Sequence, residues 1–244
     1  MLSGSLSGFG HFMRGFSLIT KPSVRPYVII PLLINVLLFS WMIWSGSEYL
    51  SGWVESLLPS WLQIEWLRSL IWGLFAISLL LISSYVFILF ANLVAAPFNA
   101  LLSEQVEYHL TGRKPPSEGQ NLVTLIVESV VGEIKKLIYI LLRMLPILLL
   151  FLIPGVNLIA PFVWFIFSAW MLTLEYADYP MGNHNIDFKQ QRAALKKQRL
   201  MSLTFGSSAL FFTTLPFVNL IAMPVSVAGA TSLFVAQLRT NTPT

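Results

Sequence analysis

Long stretches without a single charged residue constrain this chain more than any other feature of its sequence. They cover 26–47, 69–103, 144–174 and 200–238. Uncharged apolar stretches of about 18 residues or more are typical of membrane-spanning helices. Only 11% of the residues are charged, whereas soluble domains average about 25%. The sequence therefore predicts an all-α integral membrane protein and argues against a water-soluble enzyme.

The first two stretches predict two long transmembrane helices, one over 27–47 and one over 69–103. At about 1.5 Å per residue, the first helix spans about 31 Å, which matches one crossing of a hydrocarbon core of about 30 Å. Trp41 and Trp44 lie near its end, where amphipathic rings favour the headgroup level. The second stretch is longer than one crossing requires, so its helix is expected to continue beyond the membrane before Glu104.

The positions of the basic residues predict the orientation of these helices. Residues 48–68 connect them and contain three glutamates but only one of the fifteen Lys and Arg residues, Arg68. The positive-inside rule places such a segment outside the cell membrane and its basic flanks in the cytoplasm. A multi-pass protein with both termini in the cytoplasm is therefore expected.

A short internal repeat lies in the middle of each of the last two stretches. Residues 154–161 read PGVNLIAP, and residues 216–224 read PFVNLIAMP. Because proline breaks helices and both glycine and asparagine favour turns, each copy predicts a bend bounded by prolines. The two stretches are therefore expected to form helical hairpins over 144–174 and 200–238.

These hairpins are predicted to be half-penetrating. The charge-free arms of the first one, 144–153 and 162–174, span only about 15–20 Å each as helices, so neither is expected to cross the bilayer. A bend at membrane depth leaves backbone groups unpaired, which is tolerated only beside protein or a water-filled cavity. Two such bends suggest a lined pathway. The alternative is that each stretch forms a pair of short complete spans with the bend outside the membrane. Counting charges does not distinguish half-penetrating hairpins from complete spans.

Two intervening segments are predicted to lie at the membrane interface. Residues 120–143 combine charged and apolar residues at helical spacing, which indicates an amphipathic helix. Residues 187–199 contain five basic residues, a pattern suited to anionic cytoplasmic lipid. A single membrane domain over 1–244 is expected, in which the amphipathic helix and the first hairpin occupy 120–174.

The sequence lacks recognisable machinery for catalysis, cofactor binding or metal binding. Cysteine is absent, which excludes thiolate metal sites and cysteine nucleophiles. The histidines, His11, His109 and His184, are far apart in sequence and are interpreted as ordinary polar residues. Nucleotide-binding and hydrolase motifs are missing as well. We therefore expect no catalytic residue, no metal and no cofactor, which leaves transport or a structural role in the membrane.

One segment has the chemistry of an anion site. Lys21, Ser23 and Arg25 directly precede the first long helix. Free N–H groups and the positive end of a helix dipole favour an oxyanion, and arginine adds a planar fork of donors. The alternative is that basic residues at this position only set the topology.

Polar residues in or beside the predicted helices are candidates for a pathway or a gate. For the asparagines, hydrogen bonds between packed helices are the default alternative. Glu104 and Gln105, with Glu107, are expected to form a cytoplasmic ion-pair cluster rather than a gate. The candidates are Asn35, Asn92, Asn99, Glu104, Gln105, Asn157 and Asn219.

Four motifs carry information beyond hydropathy: PLLIN at 31–35, NLVAAPFN at 92–99 followed by EQ at 104–105, the tryptophan-flanked stretch 164–170, and DYP at 178–180 with NH at 183–184. With these motifs the chain resembles the bacterial CysZ sulfate permeases over nearly its whole length. The resemblance implies an inner-membrane protein that admits sulfate for assimilation into cysteine. It also implies two long transmembrane helices, two half-penetrating hairpins and assembly as a homodimer or a larger homo-oligomer.

The sulfate site of that family resembles a Gly-x-Arg turn, often followed by a second arginine, ahead of the first long helix. Here the turn reads Ser23-Val24-Arg25-Pro26, so serine replaces the glycine and proline replaces the second arginine. The resemblance implies sulfate binding by Ser23, Val24 and Arg25. Lys21, which is not part of the family pattern, is expected to compensate for the missing charge.

Two functions are consistent with these features. The first is a sulfate permease or channel that works without nucleotide hydrolysis, with sulfate and membrane lipid as its partners and no nucleic acid. The alternative is a non-transporting membrane scaffold or membrane-shaping protein, because half-inserted hairpins and a basic amphipathic helix would wedge into one leaflet.

Overall fold

The computed structural model describes residues 7–57, 65–116 and 122–238, and every regular element in these ranges is a helix. This confirms the prediction of an all-helical protein. A 3-10 turn over Val156–Leu158 and a π-helical turn over Phe234–Leu238 accompany the main helices. The main helices are α1 (Gly8–Ile19), α2 (Pro26–Leu57), α3 (Glu65–Thr111), α4 (Leu122–Leu150), α5 (Ala160–Gly182), α6 (Phe188–Lys197), α7 (Arg199–Thr213) and α8 (Asn219–Leu233).

Parts of several sequence predictions fall outside the described residues. Residues 58–64 of the expected external segment, residues 120–121 of the amphipathic segment and both chain ends are among them. The side chains of 122–133, on which the amphipathic pattern of 120–143 rests, are also outside this range. The backbone of α4 runs without interruption from Leu122 to Leu150, through Pro146.

The chain folds as two compact units. The smaller unit covers Ile29–Phe98 and consists of most of α2 and the first part of α3. Large apolar side chains are exposed along both of its helices, including Leu37 at 68% and Leu80 at 65% of their full surface. Exposed apolar surface of this extent is typical of a face in contact with lipid or another protein.

The larger unit contains the buried core, formed where α1 packs against α7 and α8 and where α5 packs against the same two helices. Phe12 of α1 is completely buried. Its ring contacts those of Phe205 and Phe212 in α7, with centroid distances of 6.1 and 5.0 Å. Such aromatic contacts add to the packing energy of the core.

Sequence reasoning missed α1. It begins after Ser7, whose side chain accepts a hydrogen bond from the backbone N–H of Gly10 and so caps the helix. The buried residues recur every three or four positions along one face. This signal was obscured because glycine has low helix propensity and three of the twelve residues are glycine. The buried residues of α1 are Gly8, His11, Phe12, Gly15, Leu18 and Ile19.

Two helical segments within the described residues are long and apolar enough to cross a bilayer, Ala160–Gly182 and Asn219–Leu238. Both lie in the stretches where the sequence predicted short hairpin arms. The charge-free part of the second arm of the first hairpin ends at 174, whereas α5 continues through Glu175 and Asp178, both of which form ion pairs with Lys136 of α4.

The two repeated segments do form bends between α4 and α5 and between α7 and α8. The residue after the first proline has a positive φ in both copies, 84° at Gly155 and 64° at Phe217. The second bounding proline behaves differently in the two copies. Pro161 lies in the first turn of α5, where it is tolerated, but Pro224 lies inside α8, so the expected proline boundary of the second bend was wrong.

The backbone of each bend bonds largely to itself. In the first bend, the N–H of Asn157 donates to the carbonyl of Ile153 at 3.0 Å. In the second, the N–H of Asn219 donates to the carbonyl of Leu215 at the same distance. These local bonds lower the cost of placing a bend away from water, which the sequence argument had assigned to neighbouring protein.

Candidate functional site

The predicted anion segment forms a tight turn that joins α1 to α2. The backbone N–H groups of Val24 and Arg25 both donate to the carbonyl of Lys21, at 2.9 and 2.8 Å. The Val24 side chain is completely buried and anchors the turn in the core. These two amides are therefore engaged within the turn rather than directed at an external anion.

The side chains of this turn face outward. Ser23 and Arg25 are exposed, and Lys21 is half-buried. One terminal nitrogen of Arg25 donates to the carbonyl of Thr20 at 3.1 Å, which restricts the direction of the guanidinium. A guanidinium carries five N–H donors, so further donors remain for an oxyanion. The turn presents two cations and a hydroxyl from a position fixed by the buried Val24.

The last third of α3 carries a buried polar stripe. Asn99, Ser103 and Glu107 are spaced four residues apart, so they lie on one face of the helix, and each is at most 5% exposed. Ser103 shares a hydrogen bond of 2.9 Å with Thr231 of α8, and the Asn99 amide lies 3.5 Å from the Tyr179 hydroxyl of α5. The stripe therefore links α3 to two helices of the core.

Glu107 forms the most specific contact of this stripe. Its two carboxylate oxygens lie 3.0 and 2.9 Å from Nε2 of His184, and the Glu107 side chain is 1% exposed. A buried carboxylate requires such partners because desolvation penalises its charge. Beside His184, the Asn183 amide donates to the carbonyl of Ala100 at 3.0 Å. We define Asn99, Ser103, Glu107, Thr231, Tyr179, Asn183 and His184 as the polar layer.

A second ionic cluster joins α4 to α5. The Lys136 ammonium, 9% exposed, lies 2.9 Å from Glu175 and 3.1 Å from Asp178. The other Asp178 oxygen accepts a hydrogen bond of 2.7 Å from Gln191 of α6. Since most of the bonding capacity of Asp178 is used by α4 and α6, this cluster holds three helices together.

His11 is a buried titratable residue in α1. Its Nδ1 atom lies 3.1 Å from the Ser232 hydroxyl, which also accepts a bond of 3.4 Å from Arg14. Burial, with a smaller contribution from the Arg14 charge, lowers the pKa of His11 to about 4. The ring is therefore neutral at physiological pH.

The remaining predicted pathway residues lie at separate places. Asn35 lies in α2, and its buried Oδ1 has no hydrogen-bond partner among the residues that the structure describes. Asn92 lies within α3, but its side chain is outside the described range. Glu104 pairs with Lys114 at 3.2 Å, and Gln105 is half-buried beside it in sequence.

Asn157 and Asn219 occupy the two bends and are exposed. Asn157 lies in the 3-10 turn, and Asn219 is the first residue of α8. Neither joins the polar layer. Of the pathway candidates inferred from the sequence, only Asn99 belongs to the polar layer. Glu107 also belongs to this layer, but the sequence analysis had placed it in a cytoplasmic ion-pair cluster.

Sequence reasoning interpreted His184 as an ordinary polar residue and did not select Ser103 or Thr231. The available signal was the spacing of Asn99, Ser103 and Glu107 along one helix face. Their partners are 77 to 128 residues away, so no local pattern indicates them. In the described ranges, no group of three histidine, aspartate or glutamate side chains is arranged to hold a metal ion.

These features define the class of protein: an all-helical membrane protein whose core contains a polar layer. A family model described as "Sulfate transporter CysZ/Etoposide-induced protein 2.4" matches residues 11–224, and the chain belongs to this family. It is 43% identical over 238 residues to a sulfate transporter CysZ of Pectobacterium atrosepticum, covering 96% of this chain and 86% of that protein. It is also 43% identical over 234 residues to one of Salmonella typhimurium, covering 94% and 92%.

The family assignment confirms the resemblance inferred from the sequence motifs. Two of those motifs meet in the structure, because Asn99 belongs to the stretch 92–99 while Tyr179, Asn183 and His184 belong to the stretch 178–184. The contact is made by Asn99, the last residue of the first stretch.

Proposed function

We propose that this protein transports sulfate across the bacterial inner membrane for assimilation into cysteine, without nucleotide hydrolysis. The observation that carries this proposal is the 43% identity, over almost the full length of both chains, to proteins named sulfate transporter CysZ in two bacteria. The bacterial source of these relatives and the two apolar helices of spanning length support the inner membrane as its location. The alternative of a membrane scaffold receives no comparable support.

The turn formed by Lys21, Ser23, Val24 and Arg25 is proposed as the sulfate-binding element. A sulfate dianion requires charged donors to replace its hydration shell. Arg25 and Lys21 supply two positive charges, and Ser23 supplies a hydroxyl. Because the amides of Val24 and Arg25 donate to Lys21 within the turn, recognition depends on these side chains.

Transport by purified protein tests the proposal directly. Liposomes containing the protein should take up radiolabelled sulfate faster than empty liposomes, and an absence of flux in either protein orientation would contradict the function. Replacement Arg25→Ala should weaken sulfate binding at least about tenfold, since it removes charge-assisted hydrogen bonds. Replacement Lys189→Ala, at an exposed basic residue of α6, is the matched control and should leave binding unchanged.

The hairpins are proposed to enter the membrane halfway, with both termini in the cytoplasm. Their tips carry exposed apolar side chains, including Leu152 at 77% and Phe217 at 87%. Such tips are unfavourable in water but favourable in lipid or against another chain. Because the chain has no cysteine, single cysteines at Asn157 and Asn219 report accessibility cleanly. Ready modification by periplasmic reagents, with none by cytoplasmic reagents, would show that the tips are external loops.

A homodimer or a larger homo-oligomer is proposed as the working assembly. Asn35 has a buried Oδ1 without a partner, and the bends with Asn157 and Asn219 are exposed rather than covered by the larger unit. Polar groups at membrane depth require partners, and a second copy supplies them. We propose that Asn99, Glu104 and Gln105 of the larger unit line the pathway that such an assembly encloses. Crosslinking in native membranes should yield a defined oligomer, and a monomer under all conditions would contradict this assembly.

A further inference from the structure

A cavity of about 350 Å³ lies between α4, α5, α6 and α7, remote in sequence from the Lys21–Arg25 turn. All of its lining belongs to the larger unit. Its surface is almost entirely apolar and is formed by residues such as Ile147, Val163 and Phe167. Three cationic side chains, Arg143, Lys196 and Arg199, border it chiefly through their carbon chains, so their charged groups lie at its edge.

Among the described residues, these cations have no acidic counterpart. In the part of the chain that the structure describes, no carboxylate lies within ion-pair distance of Arg143, Lys196 or Arg199. The local field therefore favours an anion.

The residues that line the cavity change from cationic to apolar within about one helical turn. Ile147 follows Arg143 by four residues in α4, Leu203 follows Arg199 by four in α7, and both line the cavity. A step of four residues is about 6 Å along a helix. Beyond this apolar part, Ile166 and Phe162 of α5 are 54% and 70% exposed. The cavity therefore runs from a cationic end to an exposed apolar face.

Two aromatic residues mark the cationic end. The Trp170 indole donates to the Tyr139 hydroxyl at 3.1 Å, and the Arg143 guanidinium lies 4.4 Å from the centre of the Tyr139 ring. Tyrosine and tryptophan concentrate at the headgroup level of membranes. Their position beside the cations places this end of the cavity at the depth of lipid phosphates.

We propose that this cavity binds an acidic phospholipid. The phosphate lies among Arg143, Lys196 and Arg199, and one acyl chain lies along Ile147, Val163 and the apolar face beyond them. A free oxyanion matches only the cationic end, whereas a phospholipid also matches the apolar part. Basic pockets between membrane helices are known to select acidic headgroups. This inference does not depend on sulfate being the substrate.

Native mass spectrometry of the purified full-length protein in detergent provides the test. Phosphatidylglycerol should remain bound at concentrations where phosphatidylcholine with the same acyl chains does not. The double replacement Arg143→Gln with Arg199→Gln should weaken retention of phosphatidylglycerol at least about tenfold. Lys189→Gln, a control at a basic residue outside the cavity, should bind as the unmodified protein does.

A second variant tests the apolar part independently of the cations. Val163→Asn keeps all three cations and should also weaken phosphatidylglycerol binding. Size-exclusion profiles establish that each variant is folded, and Lys196→Gln replaces the double variant if that protein aggregates. Equal binding of the two lipids, or unchanged binding by the cation variants, would overturn the proposal. Displacement of the lipid by millimolar sulfate or phosphate would also overturn it, because the cavity would then be a simple oxyanion site.

Discussion

The closest helix contact in the core provides a quantitative test of how this protein is stabilised. At the crossing of α5 and α7, Gly206 lies directly against the backbone of Ala169. A Cβ atom placed at Gly206 overlaps the Ala169 carbonyl oxygen and comes within 2.5 Å of Thr173 Oγ1. Four positions before Gly206, the carbonyl of Ser202 accepts a hydrogen bond of 2.6 Å from Thr173. Small residues spaced four apart on both helices permit this approach.

Replacement Gly206→Ala should therefore destabilise the protein despite the higher helix propensity of alanine. To accept the methyl group, the helices have to separate by roughly 1 Å or more, which sacrifices much of the dispersion energy along the crossing. Overpacking of this kind costs about 1–3 kcal/mol. Loss of the Thr173 hydrogen bond adds about 1 kcal/mol. The sum, about 2–4 kcal/mol, corresponds to a decrease in Tm of about 5–15 °C for a chain of this size.

Thermal unfolding in detergent, followed by intrinsic tryptophan fluorescence, measures this decrease. Gly182→Ala is the matched control, because Gly182 ends α5 and a Cβ atom there meets no atom within 4 Å. The control should leave the Tm unchanged or raise it slightly. If Gly206→Ala and Gly182→Ala unfold within about 1 °C of each other, the close approach of α5 and α7 does not govern stability and the reasoning is refuted.

Two further predictions concern buried charge. The pKa of His11 falls from 6.5 in the unfolded chain to about 4 in the folded protein. Between these two pH values the unfolded chain therefore binds more protons than the folded protein. The free energy of unfolding should decrease by up to about 3 kcal/mol as the pH falls from 6.5 to 4. His11→Gln should remove this part of the pH dependence of the Tm, and an unchanged pH profile would contradict the assignment. Lys136→Met should cost about 1–3 kcal/mol because Glu175 and Asp178 lose their cation. Lys135→Met, at the exposed neighbouring position, should change stability by less than about 0.5 kcal/mol, and equal effects of the two replacements would argue against the cluster.

The two bends show how much of the local structure the repeated sequence motif predicted. The repeat predicted a bend at both positions, and the residue after the first proline, Gly155 or Phe217, has a positive φ in both copies. Glycine adopts this conformation at little cost, whereas phenylalanine does so with strain. The motif did not indicate that α8 continues through Pro224, because the effect of a proline on a helix depends on the packing around it.

Local patterns also decided the class of protein and the family. The long apolar stretches were enough to predict an all-helical membrane protein, because a charge-free segment of spanning length has few alternatives to a helix in a bilayer. The motifs between 31 and 184 were enough to identify the family. The anion site at the turn from Lys21 to Arg25 was likewise inferred from contiguous residue types, and it stays a prediction.

Only the tertiary structure decided which polar residues lie together. His184 meets Glu107 across 77 residues, and Thr231 meets Ser103 across 128. The cavity with Arg143 and Arg199 likewise combines residues from four helices. Periodicity reports which face of one helix is apolar, but it does not report which helix covers that face. The sequence by itself therefore determined the long apolar helices, the bends and the class, while the pairing of buried polar groups followed from the packing of helices distant in the chain.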